Sequence, residues 1–491
     1  MTSMTRGSVA LLSACLLLAA SASSALAAGY DTPILYSARH MGMGGTAIGY
    51  VNDPSAVFHN PAGFAHIKKA ATLLDVSFLT GHIQAVPSNQ WEGYNDGVNG
   101  GVQSEPVVAP AFLVGGAYRI TDKITAGFGL YPLASAGGGY KYNNLVPDPV
   151  LIEDSTKLVL IEASPVLAFN LPGNLNLGIG YRVGLAMLDR NKAKVDSDEP
   201  AMLGLSTSGV NAEGFRIGLQ WSPESIKGLQ VGLTYRNGIE AVMTGEANIS
   251  AFDIEGVETS LALAPKLGAG IRYDVGDYAA AFDAEYTWSS WETGEVQQIG
   301  NADKPDVLNN VMLWDDGITL RGGLEMRFAG HCFARAGYVF DGKVGNEVFP
   351  SAFGTPPAPT HTITVGTGYS PGPWSVNFAY ALRQGGVTIT PADAAKQADA
   401  TLASGEAAPA CNTCGFPGDY EIMLHGIYID FSYEWGLEQA SASVAAPEPT
   451  PEPAPEPAPE PAAEPAPAPE PAAEPAAEPA AEPASSPELN P

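Results

Sequence analysis

The chain is short of basic charge: 24 Lys and Arg stand against 53 Asp and Glu in 491 residues, a formal net charge of −29. That shortage excludes a nucleic-acid binder, whose basic patch must displace counterions from phosphate. Beyond residue 27 no apolar run reaches 18 residues, so no transmembrane helix is expected. Cysteine amounts to four residues, with one Cys-x-x-Cys pair at Cys411 and Cys414, and a zinc site would need a second such half. No metal or other cofactor is expected, and the acidic residues of the loops read as solvated surface. The Gly42-Met43-Gly44-Gly45 run lacks the preceding strand and following Lys-Ser/Thr of a phosphate loop. No paired-carboxylate or Ser-His-Asp spacing points to catalysis. The expectation is a protein that is not an enzyme, with a barrel esterase or deacylase as the enzymatic alternative.

What is present divides into unlike pieces. Arg6 precedes the apolar stretch VALLSACLLLAASASSALA, which ends in Ala25, Leu26 and Ala27. Residues 1–27 therefore read as a secretory signal, which places the mature protein outside the cytoplasm. Leu12, Ser13, Ala14 and Cys15 also fit a lipoprotein box, but the apolar core would then shrink to about seven residues, the short limit for a signal. At the other end, Pro447 to Pro491 holds ten glutamates, no base and no aromatic residue. Such a segment cannot offset its chain entropy by burial, so residues 437–491 read as a disordered, polyproline-like anionic tail. At about 3.1 Å per residue, its last 45 or so residues would reach about 140 Å, far enough to meet a periplasmic or cell-wall partner.

Between the ends the signal has period two. In Trp374, Val376, Phe378, Tyr380 and Leu382 the alternate positions are Ser375, Asn377, Ala379 and Ala381. Leu175 to Met187 and Ile427 to Trp435 alternate in the same way. These are strands with one greasy face and one polar or tiny face. They run about ten residues or more, the length that crosses a bilayer when tilted. Tight connections such as Thr121-Asp122-Lys123 and Leu171-Pro172-Gly173-Asn174 alternate with long ones near 85–106, 134–157, 189–210, 243–264, 288–316, 341–360 and 385–419. Short turns on one side and long loops on the other are the outer-membrane pattern. Fourteen strands result, at 69–84, 107–120, 123–134, 157–170, 174–188, 211–222, 228–242, 264–274, 277–288, 317–328, 332–341, 360–370, 373–385 and 420–436. The fold expected is all-β, a 14-stranded antiparallel transmembrane barrel over residues 68–436 in the outer membrane of a bacterial cell, with Trp221, Trp288, Trp374 and Trp435 in interface girdles.

Residues 28–67 do not alternate, and their Gly turns suit a plug inside the lumen. GMGGTAIGYVNDPSAVFHNPAGFA closely resembles the N-terminal hatch motif of the FadL/TodX family of outer-membrane hydrocarbon transporters. The residues that carry it are Gly42, Gly44, Gly45, Asp53, Pro54 and the triplet Asn60, Pro61 and Ala62. The resemblance extends through ITDKITAGFGLYPL, YRNGIEAVMTGEA and EYTWSSW, and does not cover the tail. It implies a barrel closed by a hatch, with passive uptake of fatty acids or of aromatic or aliphatic hydrocarbons. It further implies capture among the loops, a pocket over the hatch and lateral exit at a kink in the third strand. Gly137, Gly138 and Gly139 follow that strand; glycines there permit a bulge or form a flexible loop base. Phe58 and Phe64 lie near the implied pocket, or pack the plug against the wall.

If the apolar face meets lipid, the polar face receives Arg182, Arg216, Arg236, Arg272, Arg321, Arg327, Arg335 and Arg383. Asp283, Glu285, Glu325, Asp430 and Glu434 face the same way. One reading is a salt-bridged network bracing the hatch. The other is that some arginines stay unpaired and attract an anionic head group. In an oxidising compartment Cys411 and Cys414 suit a small disulfide, leaving Cys332 unpaired. The partners expected are a hydrophobic small molecule and outer-membrane lipid. Two other roles compete: a tethering barrel that uses its tail as a periplasmic connector, and a general porin with an open lumen.

Overall fold

The structure, a computed structural model, describes residues 36–87, 102–103, 107–144, 150–195, 201–249, 252–291, 295–305, 307–350, 357–411, 414 and 417–436. The signal, the first residues of the plug and the tail lie outside the described residues.

Fourteen strands close into one antiparallel barrel. They are β1 Ala70–Pro87, β2 Val107–Thr121, β3 Ile124–Asn144, β4 Val150–Leu171, β5 Leu175–Lys194 and β6 Leu203–Trp221. The next four are each built from two segments: β7 Leu229–Arg236 and Ile239–Ile249, β8 Phe252–Leu263 and Lys266–Val275, β9 Tyr278–Thr287 and Val296–Gly300, β10 Leu308–Val311 and Gly317–Phe328. The last are β11 Cys332–Asp341, β12 Thr360–Tyr369, β13 Trp374–Ile389 and β14 Gly418–Trp435. Closure is the β1–β14 ladder from Ala70 opposite Trp435 to Pro87 opposite Gly418.

The outward face is apolar: Phe128, Leu167, Ile179, Leu233, Ile271, Leu324, Phe378 and Ile429 are all exposed on consecutive parts of the wall. An exposed apolar belt of this extent is unstable in water and at no cost in hydrocarbon. Trp221, Trp374, Trp435, Tyr118, Tyr278 and Tyr369 are exposed beside the short turns, at one rim of that belt. Trp288 stands instead where β9 breaks, edge-on to Tyr286 with ring centroids 4.9 Å apart.

The sequence misjudges how tall the wall is. The stretches near 134–157, 189–210 and 243–264, expected as loops, are largely continuations of β3 to β8. Alternation of apolar residues ends where lipid ends, but backbone pairing does not. Lys157 pairs with Asp189, Asp189 with Ser206, and Ser206 with Glu246 across four strands, an outward polar row that marks the upper edge of the apolar belt. Ser206 donates to Asp189 at 2.7 Å within it.

The lumenal face changes parity within the wall. Buried lumenal positions on β6 are odd-numbered above Asn211 and even-numbered below Gly214, with Ala212 and Glu213 both exposed between them. The ladder with β5 slips there, between Arg182 and Gly184. On β7 and β8 the same switch falls at Asn237–Gly238 and Ala264–Pro265. An extra residue in each of three adjacent strands bends the wall locally.

Candidate functional site

Residues Tyr36–Ile67 lie in the lumen, and the wall holds them by their backbone. Helix α1, Ala38–Met41, begins between two carboxylates of the closing seam that face each other, Asp75 and Asp430. Asp75 accepts from the Ala38 N–H at 3.1 Å, and Asp430 accepts from the Arg39 N–H at 3.0 Å and the Ser37 hydroxyl at 2.7 Å. Asp283 of β9 accepts from the N–H groups of Ala47 and Ile48 at 2.7 and 2.9 Å. Arg119 of β2 donates to the Ala65 and Ile67 carbonyls at 2.7 and 2.6 Å, and Arg216 of β6 donates to those of Val57 and Phe58. Charge-assisted bonds of this kind are the stronger class, and here they satisfy a segment with little regular structure of its own.

The motif residues explain themselves in this setting. Asn60 Nδ2 donates to the carbonyls of Ile48, Leu219 and Leu233, tying the plug to β6 and β7, while its Oδ1 accepts from the Ala62 N–H and caps the 3₁₀ turn Pro61–His66. Pro61 opens that turn where its missing N–H costs nothing. Asp53 accepts from Ser55 and pairs with Arg39 at 3.5 Å and His40 at 3.6 Å. Burial alone would raise its pKa; His40, Arg39 and Ser55 outweigh burial and hold the carboxyl well below the ordinary range. Pro54 closes on β2, where a Cβ at Gly115 would stand 3.0 Å from its ring. Gly44 and Gly45 have φ of 68° and 75°, the left-handed region that disfavours other residues. His59, pushed down to about 3 by burial and by neighbouring His40, is neutral at physiological pH, with its Nε2 2.8 Å from the Tyr36 carbonyl.

The plug fits because the wall carries glycine where it touches. A Cβ at Gly178 would lie 2.1 Å from the Pro61 carbonyl carbon, and one at Gly337 would lie 2.0 Å from the Gly44 nitrogen. A Cβ at Gly218, Gly232 or Gly270 would lie 2.0, 1.9 or 2.4 Å from Asn60, Ile48 or Gly49, and one at Gly366 would lie 2.8 Å from Gly42. On β3, Gly127 lies under the Phe64 ring and Gly129 under Val57. Phe64 is thus wall packing; Phe58, half-buried, is edge-on to Tyr36 and Tyr131 at 5.1 and 5.5 Å.

Above the plug lies a charged layer. Glu162 of β4 takes Arg182 Nε at 2.7 Å, Arg216 Nη2 at 3.7 Å and the Tyr131 hydroxyl. Glu285 takes Lys266 and Arg321, each at 3.3 Å. Arg383 reaches Asp341 at 3.4 Å, and Arg236 is buried directly opposite Arg216. Nearer the plug, Glu325 takes Arg272 at 2.7 Å and Arg335 at 2.6 Å. These side chains form a paired network. Arg327 does not join them: its side chain is 49% exposed and pairs with Asp277 at the rim, because β10 has there passed below the plug. Arg182 Nη2 and Arg321 Nε are buried guanidinium nitrogens that have no hydrogen-bond partner among the described residues. Above the charged layer the lumen is apolar, with Leu158, Leu160, Leu188, Leu205, Met243, Leu261 and Ile299 buried in one cluster that reaches down to Val57.

One stretch of wall is open on one side. The β2–β3 ladder runs from Thr121 opposite Ile124 to Val114 opposite Leu130 and ends. Above it β2 stays paired with β1, and β3 with β4 as far as Asn144. The β3–β4 register slips between Pro132 and Ala134, leaving Leu133 as the extra residue. Gly137, Gly138 and Gly139 are ladder residues opposite Lys157, Thr156 and Ser155, higher on the same edge, which has no partner on the β2 side among the described residues. Cys411 and Cys414 are disulfide-bonded, with Cα atoms 5.6 Å apart, and Cys332 is free.

The fold defines an outer-membrane barrel with residues 36–67 held inside its lumen. Residues 18–401 match the family model described as outer membrane protein transport protein (OMPP1/FadL/TodX). The chain belongs to that family, whose members are transport channels rather than enzymes and reside in the bacterial outer membrane. A FadL homologue of Pseudomonas aeruginosa is similar in fold at 15% identity, with a TM-score of 0.64 over 83% of this chain and 100% of that one. The P. putida toluene transporter TodX gives 13% identity and a TM-score of 0.56, over 82% of this chain and 98% of that one. The Ralstonia pickettii toluene transporter TbuX gives 14% identity and 0.55, over 81% and 98%. Comparison with curated proteins finds no match.

Proposed function

We propose that the protein takes up hydrophobic molecules passively, admitting them from the loops to the apolar upper lumen and releasing them sideways between β2 and β3. The observation that carries this reading is the ladder that stops at Val114 and Leu130 beside the slip at Leu133. The plug supports it from below, because its close contacts with wall glycines and its buried hydrogen bonds crowd the lumen beneath the apolar region. Sideways, the solute leaves one apolar medium for another and never meets the aqueous periplasm.

Delivery into the bilayer can be followed with a fluorescent long-chain fatty acid and a neutral fluorescent hydrocarbon, added outside vesicles that contain the full-length protein. Deleting Leu133 removes the extra residue and lets β3 run in regular register. Delivery of both probes is expected to fall about tenfold or more, as a closed ladder costs a passing solute several hydrogen bonds. Unchanged delivery in a folded variant would sink the lateral route.

A second reading, that the preferred solute has an anionic head, is favoured by the buried, unpartnered nitrogens of Arg182 and Arg321. Arg321→Ala is expected to slow the fatty acid about tenfold while sparing the hydrocarbon, given the strength of a charge-assisted bond. Equal losses for both probes would remove the head-group idea.

A further inference from the structure

We infer that Tyr36 and Tyr131 are positioning residues through which the seated plug holds the β3 slip, and with it the side opening, in one setting. The inference rests on the lateral route proposed above and assigns its control to named atoms.

Four contacts from the plug converge on a short piece of β3. Phe64 lies on Gly127 and Val57 on Gly129. Phe58 is edge-on to Tyr131, with an interplanar angle of 84°. The Tyr36 hydroxyl donates to the Pro132 carbonyl at 2.5 Å, on the residue where the register slips. Tyr131, beside it, donates to Glu162, which binds Arg182 and Arg216, and Arg216 in turn donates to the carbonyls of Val57 and Phe58. The circuit therefore leaves the plug at Phe58 and returns to it at Phe58, passing through the slip. Both tyrosines are fully buried.

The slip is where such a hold can matter. A strand paired on both edges is fixed by its ladders, and a bond from the lumen adds little. Among the described residues, β3 past Leu130 has no ladder partner on the β2 side, and at Leu133 none on the β4 side. Pro132 has no N–H to donate to either neighbour. Its carbonyl is held from within by a segment that the wall contacts but does not covalently restrain in strand form. Movement of the Tyr36–Phe58 edge then frees the slip, and a solute pressing on that edge meets the opening it releases. The competing account is that the two rings merely fill space, in which case Phe serves as well as Tyr.

Full-length Tyr36→Phe and Tyr131→Phe, and the pair together, are compared with the unaltered protein in the fatty-acid vesicle assay. Planar-bilayer conductance reports separately on whether the plug is seated, and heat-modifiable gel mobility on whether the barrel is folded. Each single variant is expected to deliver the probe about fivefold faster, the factor that corresponds to one buried hydrogen bond, with conductance unchanged. The double variant is expected to gain less than the product of the two, as members of one network do. Unchanged delivery in both folded variants would overturn the inference. So would delivery and conductance rising together, which means a dislodged plug. If the unaltered protein delivers no probe, or deletion of Leu133 leaves delivery intact, the lateral route itself fails, and that failure is visible without the tyrosine variants.

Discussion

Combining Gly178→Val with Gly337→Val is expected to turn a closed barrel into a steadily conducting one. At Gly178 the new Cβ would stand 2.1 Å from the Pro61 carbonyl carbon, and at Gly337 2.0 Å from the Gly44 nitrogen. Both neighbours are backbone of the plug, so no side-chain rotation relieves the clash. Overpacking of this kind costs about 3 kcal/mol at the upper end of its usual range. The two sites are on strands far apart around the wall, β5 and β11, and their effects should add. About 6 kcal/mol against the seated plug exceeds a ten-thousandfold change in its occupancy. Valine suits a strand, and both ladders remain intact, so the barrel itself should assemble and show normal heat-modifiable mobility. Planar-bilayer recordings decide the matter: a double variant as silent as the unaltered protein would mean that the plug does not depend on these contacts.

The strands were legible because lipid imposes a strict rule. Every second residue from Trp374 to Leu382 must be apolar to face hydrocarbon, and the sequence shows it without any knowledge of neighbours. Where the rule stops applying, so does legibility. Glu153, Lys157, Asp189 and Glu246 belong to strands, but above the membrane nothing demands apolar partners, and the wall there read as loop. The slip at Leu133 was hidden for a related reason. Tyr131-Pro132-Leu133-Ala134 is apolar throughout, so a one-residue slip leaves no mark on the pattern, whereas the glycines at 137–139 drew attention by composition alone.

The plug was legible as a motif, and its contacts were not. Asn60 and Asp53 stood out, while the residues that receive the plug are scattered over most of the strands and separated by hundreds of positions. One signal was available. The polar face of β5 carried Gly178, Gly180 and Gly184 where a porin would carry polar side chains, and that of β12 carried Gly366 and Gly368. Glycine on the lumenal face means that something approaches closely. The arginines were legible as lumenal, Arg327 excepted, but their partners were not. Glu162 sits in LVLIEASPVLAF, where it reads as a lone acid in a greasy strand, and only the closed barrel brings Arg182 and Arg216 to it.

Glu162 also sets the largest stability effect expected in the barrel. It is fully buried, and it is the carboxylate that faces Arg182 and Arg216, which are 1% and 3% exposed, while also accepting from Tyr131. Glu162→Leu removes the charge and leaves two guanidinium groups without it in a dry layer. Breaking a buried pair in this way costs about 3–5 kcal/mol, because the surviving charge keeps its desolvation penalty. The variant should convert from the folded to the unfolded gel form at a clearly lower temperature, and by more than Glu285→Leu, whose partners Lys266 and Arg321 are 10% and 5% exposed. Adding Arg182→Met to Glu162→Leu should restore most of the loss, since apolar side chains of similar volume replace a buried pair at little cost. The restored barrel would still lack the bond from Tyr131 and the brace on Arg216. It should therefore melt normally yet deliver the neutral hydrocarbon probe faster, a separation of stability from transport that a purely structural ion pair would not produce. If the double variant melts as early as Glu162→Leu alone, the charge was not what the layer required, and the shape of the glutamate side chain would account for its place.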